Sequence, residues 1–171
     1  LADKLAEVVA DLKSVATVGM QAEHLSADAA RVARRKLRPA KLVTTTGLVT
    51  GLRLIKDDDE VAAIERAIAA AESAYREIGE SIRPGMTEAE IAAELIYRML
   101  RRGASEPSFP PIVAVGPRGS LPHARADAKV KSKASEPILF DWGARVDGYC
   151  SDMTRVFRFG ERLPKAIGKI Y

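Results

Sequence analysis

Two aspartates set into strand-like sequence constrain this chain more than any other feature. They are Asp141 and Asp152, in the segment Asp141-Trp142-Gly143-Ala144-Arg145-Val146-Asp147-Gly148-Tyr149-Cys150-Ser151-Asp152-Met153-Thr154-Arg155. Ile138-Leu139-Phe140-Asp141-Trp142 reads as a strand, Asp147-Gly148 as a turn, and 149–159 as a returning strand. A hairpin centred on Val146-Asp147 sets Asp141 directly opposite Asp152, on one face, with Cβ atoms about 5 Å apart. Like charges so placed destabilise a sheet, and burying them unpaired costs far more. A divalent cation removes both penalties, because carboxylate oxygens ligate hard and borderline metals. Other arrangements stay open. One Asp could be exposed, a one-residue slip could put the two on opposite faces, or Arg145, Arg155 or Arg158 could neutralise them.

The other reactive side chains are few. The chain has two histidines and one cysteine, which excludes a multi-His cage, a Cys-rich zinc module and an internal disulfide. His123 lies in the loop Gly116-Pro117-Arg118-Gly119-Ser120-Leu121-Pro122-His123-Ala124-Arg125. A loop histidine is ordinarily a surface residue. Folded over the Asp pair, it would donate to an oxygen gaining charge in acyl transfer. Phe109, with Pro110 and Pro111, is a candidate wall for an apolar pocket, with core packing as its default role. Cys150 reads as a small buried hydrophobe, Asp147 as a turn residue, and Trp142 and Tyr149 as packing residues with polar tips. His24 reads as structural.

Hydrophobic spacing organises the rest. Leu1, Leu5, Val8, Val9 and Leu12 fit a short amphipathic helix, followed by a strand at 14–19. Ser26 opens a helix over 29–35, and Lys41-Leu42-Val43-Thr44-Thr45 reads as a second strand. That alternation belongs to an α/β layer too short to be a whole domain. Asp57-Asp58-Asp59-Glu60 then opens a long helix whose expected buried stripe is Val61, Ile64, Ile68, Ala71, Tyr75 and Ile78. Arg83-Pro84-Gly85 ends it. Thr87 and Glu90 form a capping box for the next helix, Met86 can staple on Ile91, and Ile91, Leu95 and Met99 line one face up to Gly103. Prolines then preclude helix, Ile112-Val113-Ala114-Val115 is a strand, and a helix start is expected at 163–167. The charge balance is 27 basic to 23 acidic residues, with both signs interspersed, so no nucleic-acid partner is expected. No apolar run is long enough for a bilayer, so no membrane partner is expected either. The lone cysteine, with no signal-peptide pattern, sets the expected location as cytoplasmic.

The chain resembles the Xaa-Pro aminopeptidase and prolidase branch of the pita-bread metallopeptidases. The resemblance runs through Leu54-Ile55-Lys56-Asp57, Arg83-Pro84-Gly85-Met86-Thr87-Glu88, Ser108-Phe109-Pro110-Pro111-Ile112-Val113-Ala114, Leu121-Pro122-His123-Ala124 and the Asp141 to Arg155 block. It implies an α+β fold: the first half of a pita-bread domain over 54–171, preceded at 1–53 by the end of a small α/β N-terminal domain. It implies two divalent metal ions, manganese first, with cobalt or zinc as alternatives. Asp141 is then a ligand chelating one metal, Asp152 a ligand bridging both, and His123 the catalytic histidine that contacts substrate or the tetrahedral intermediate. Water activated between the metals would attack the peptide bond before proline. The implied partners are a proline-containing peptide and a second copy in a homodimer.

Two departures from the family pattern stand out. Arg118-Gly119 occupies a place where small polar residues are common, which would alter the pocket rim. The family also completes its site with one His and two Glu from a later segment. After Asp152 this chain has no His, and Glu161 is its only acidic residue. Leu1 and Tyr171 therefore read as cut points, and the 171 residues alone are expected to be inactive and to hold metal weakly. The alternatives are a non-catalytic pita-bread binding module, a methionine aminopeptidase, and a metal-free creatinase-like hydrolase. The Leu121-Pro122-His123-Ala124 loop favours the proline-directed branch, and the paired aspartates disfavour the metal-free one.

Overall fold

The structure, a computed structural model, describes residues 2–12 and 14–160. The expected helix start at 163–167 and Glu161 lie outside the described residues. The chain divides into two compact units, Leu1–Lys56 and Asp57–Tyr171.

The first unit is α/β. Helix α1 (Ala2–Asp11) precedes strand β1 (Thr17–Gln21), which begins later than the 14–19 expected. Helix α2 (Ala27–Lys36) is capped by Ser26, whose hydroxyl accepts from the Ala29 N–H, and it buries Ala30 and Ala33. Strand β2 (Lys41–Thr45) pairs parallel with β1, as a helical crossover requires. Helix α3 (Leu48–Leu54) was not anticipated. Leu48, Leu52 and Leu54 are all exposed.

The second unit packs two helices on two small antiparallel sheets. Helix α4 (Asp58–Ser81) starts at a complete capping box between Asp57 and Glu60. Helix α5 (Glu88–Arg101) starts at the capping box expected of Thr87 and Glu90, and it buries Ile91, Leu95 and Met99. Strands β3 (Glu106–Pro107), β6 (Ala144–Val146) and β7 (Tyr149–Cys150) form one sheet in the order β3-β6-β7. Strands β4 (Ile112–Val115), β5 (Ile138–Trp142) and β8 (Met153–Phe157) form the other, in the order β4-β5-β8. A 3-10 turn, Gly116–Ser120, follows β4 where the prolines suggest no helix; Pro117 fits because it stands in the first turn, where its missing N–H leaves no bond unmade.

The buried face of α4 differs from the stripe expected. Val61 and Ile68 are exposed, and the face turned to the core is Ala63, Ala67, Ala70, Ala71, Ala74 and Ile78. Alanines let the helix backbone approach closely enough for side chains of the sheets to bond its carbonyls. Trp142 Nε1 donates to the Ala71 carbonyl at 3.1 Å, and Ser151 Oγ donates to the Ala67 carbonyl at 3.2 Å. Tyr75 stacks on Trp142 at 4.7 Å. Hydrophobic size misled here, because the packing partner needs room rather than bulk. Ala67→Leu is expected to lower stability by about 1–3 kcal/mol through overpacking. The larger truncation Ile68→Ala should cost less, and urea unfolding of both variants compares them.

Candidate functional site

The hairpin register places the two aspartates. Asp147 and Gly148 both have positive φ, 51° and 84°, the geometry of a two-residue type I′ turn. The turn is Asp147-Gly148, as the sequence predicts, so the hairpin centre lies there, one residue later than the Val146-Asp147 centre that would set Asp141 opposite Asp152. Arg145 faces Cys150, Val146 faces Tyr149, and Asp141 faces Thr154 rather than Asp152. The side-chain period of a strand is two, and the pairing moved by two, so both aspartates keep the same face. They are diagonal neighbours instead of a direct pair. The same register explains Cys150, which is exposed and not buried. It shares an outward face with exposed Arg145, while Val146 and Tyr149 are partly buried.

The returning strand breaks at Ser151-Asp152, between β7 and β8. Ser151 is buried, and its Oγ also accepts from the Ala144 N–H at 3.0 Å. Ser108 Oγ donates to the carbonyls of Ala144 and Ser151 at 2.9 and 2.7 Å. Gly143 lies against this crossing: a Cβ there would stand 1.8 Å from the Ser151 carbonyl oxygen. With Ser151 drawn in, Asp152 is exposed while Asp141 is half-buried.

His123, Asp141, Asp152 and Phe109 line one cavity of about 420 Å³, together with Pro110 and Ile112. His123 has φ 57° and is exposed, next to the buried Ala124. Burial pushes the Asp141 carboxyl above the usual carboxylate range, and the negative charge of Asp152 adds to the rise. The Thr154 hydroxyl, donating at 3.3 Å, and the nearby His123 oppose it. The three arginines that could have neutralised the pair are engaged elsewhere. Arg145 bonds Glu106 at 2.7 Å, Arg155 donates to the Thr154 carbonyl, and Arg158 donates to the Gly160 carbonyl. Arg125 also lines the cavity, but among the described residues neither aspartate forms an ion pair. Two carboxylates on one face are a donor set that fits a divalent ion. They do not complete its coordination, and no cluster of three or more metal-ligating side chains occurs among the described residues.

Arg118 does not stand at the rim. Its guanidinium turns inward to Glu88, with Nε 2.9 Å from Oε1, and donates to the Arg125 carbonyl at 2.9 Å. Glu88 is fully buried. Sequence reasoning missed this pair, because an acidic residue at the start of a helix is ordinarily an exposed complement to the dipole.

Comparison with known proteins assigns the family. The sequence model of Metallopeptidase family M24 matches residues 62–171. An uncharacterized peptidase of Bacillus subtilis is 40% identical over 122 residues, covering 71% of this chain and 34% of that protein. The Xaa-Pro dipeptidase of Pyrococcus furiosus is 32% identical over 157 residues, covering 92% of this chain and 44% of that one. The crystal structure of X-Pro aminopeptidase from Thermotoga maritima superposes with a TM-score of 0.87 at 36% identity, over 99% of this chain and 47% of that one. This chain belongs to metallopeptidase family M24, and its α+β architecture is that of the pita-bread aminopeptidases and prolidases. It spans between a third and a half of the length of these relatives. No helix among the described residues is long and apolar enough to cross a membrane.

Proposed function

We propose that the protein carrying this chain hydrolyses the peptide bond before proline, as an Xaa-Pro aminopeptidase or dipeptidase. The observation that carries the reading is the meeting of Asp141, Asp152 and His123 on one cavity, with neither aspartate in an ion pair among the described residues. Asp141 and Asp152 are the metal ligands this chain contributes. The ions are two divalent cations, manganese first, with cobalt or zinc as alternatives. Such ions supply Lewis acidity and lower the pKa of water at the site.

The chain's own residues do the rest. His123 donates a hydrogen bond to the carbonyl oxygen that gains charge as the peptide bond is attacked. Phe109 and Pro110 wall the cavity and offer an apolar surface to a proline ring. Thr154 holds Asp141 by its hydroxyl and fixes which carboxylate oxygen faces the cavity. Residues 1–53 serve as the end of a smaller N-terminal domain and 54–171 as the first half of the peptidase domain. The protein is read as a cytoplasmic homodimer.

Two carboxylates leave most of a divalent ion's coordination to other ligands. The 171 residues alone are therefore inactive and bind manganese weakly. Calorimetric titration of this chain with manganese should give a Kd weaker than about 10⁻⁴ M. Tight binding of two ions per chain would contradict the ligand count. The full-length protein with manganese should cleave Xaa-Pro dipeptides or the first bond of Xaa-Pro peptides. Failure on both, with metal bound, favours a binding module.

A further inference from the structure

His123 sits near the tip of a loop that leaves β4 after Val115 and returns to the start of α5 at Asp127. Within the tip the described bonds are local: Leu121 N–H to the Arg118 carbonyl at 3.0 Å, and Ala124 N–H to the Leu121 carbonyl at 3.4 Å. The roots are held differently. One buried carboxylate, Glu88, accepts the Val115 N–H on Oε1 at 2.9 Å and the Asp127 N–H on Oε2 at 3.0 Å. Arg118 adds a crossing strut. Its Nε contacts both Glu88 oxygens, at 2.9 and 3.2 Å, and its Nη2 reaches the Arg125 carbonyl on the opposite limb. Outgoing limb, returning limb and helix start are thus joined at one ion pair at the base of the loop that carries His123. A buried ion pair is a poor source of net stability, since desolvation offsets attraction. One planar guanidinium that donates Nε–H to Glu88 and Nη2–H to the Arg125 carbonyl fixes position well.

We infer that Glu88 and Arg118 are positioning residues, a clamp that holds the His123 loop over the aspartate pair. The inference rests on the peptidase reading for its effect on rate. The geometry of the clamp is independent of that reading. Arg118→Met removes the strut and leaves Glu88 its two backbone donors. Arg118→Lys keeps the charge but cannot bond Glu88 and Arg125 together.

The test uses the full-length, metal-loaded protein. Arg118→Met should lower kcat about 10²-fold through misplacement of His123, with KM within about threefold of the parent. Arg118→Lys should fall between. Amide exchange measured by mass spectrometry should quicken about tenfold in peptides covering 119–124 while α4 is unchanged. Parental kcat and parental exchange in the lysine and methionine variants overturn the clamp. So does exchange that rises equally in α4 and the loop, with activity tracking the folded fraction, which is a purely structural role. If Arg118→Met does not fold, Arg118→Lys decides by the same readouts. A parent protein without Xaa-Pro activity removes the peptidase reading, and the exchange comparison still decides the clamp.

Discussion

Asp141→Asn and Asp152→Asn, each in the full-length protein, are expected to lower kcat/KM for Xaa-Pro peptides at least about 10³-fold, or about 4 kcal/mol of transition-state stabilisation. An amide keeps the size of the carboxylate and loses its charge, so a metal ligand is weakened while the strand is preserved. The first variant has a second expected effect of opposite sense. The folded Asp141 carboxyl is raised by burial and by Asp152. Between the ordinary carboxylate value and the raised one, the folded state holds more protons than the unfolded state. Stability therefore falls as pH rises through that window, and the penalty is complete above it. The metal-free Asn variant lacks the penalty. It should unfold at a higher temperature than the parent at neutral pH, and the difference should vanish below the carboxylate range. Full activity in either variant, or a lower midpoint for metal-free Asp141→Asn at neutral pH, would contradict the assignment.

Gly143→Ala is expected to cost about 3 kcal/mol or more. The added Cβ would meet the Ser151 carbonyl oxygen at 1.8 Å, its carbonyl carbon at 2.7 Å and Ser108 Oγ at 2.8 Å. Two of these atoms are backbone and cannot rotate away. The crossing that turns Ser151 inward would have to open, and Asp152 is the next residue. Loss of stability should accordingly come with loss of the aspartate geometry. Gly51→Ala, whose Cβ meets nothing within 4 Å, serves as the control. Urea unfolding of the two variants gives the comparison. Parental stability in Gly143→Ala would mean that the close approach at Ser151 is absent.

The elements that sequence placed well are those whose signals are local. The Thr87–Glu90 and Asp57–Glu60 capping boxes form within one helical turn. The strand at Ile112–Val115 is an unbroken apolar run, and that at Ile138–Trp142 is apolar but for Asp141. The face of α4 was not legible, because what faces an alanine stripe is a tryptophan many residues away in sequence. The break at Ser151 was hidden for the same reason. Its cause is hydrogen bonding of Ser151 to Ala67, which no local pattern announces.

The candidate site divides along the same line. Asp141, Asp152, His123 and Phe109 could be singled out as residue types in unusual places, a carboxylate within a strand or a histidine after proline. That they share one cavity is a tertiary fact. The aspartates reached one face although the anticipated pairing was wrong, since faces repeat every two residues and the error was itself two. Arg118 shows the opposite case. Its position in the loop was plain, yet its direction was not, because only the fold brings the buried Glu88 beneath it. Sequence by itself determined the capped helices, the strand-forming runs and which few side chains carry chemistry, all written in neighbours along the chain. Register, the buried face of α4 and the inward turn of Arg118 were decided by tertiary structure alone, because each depends on a partner that sequence distance conceals.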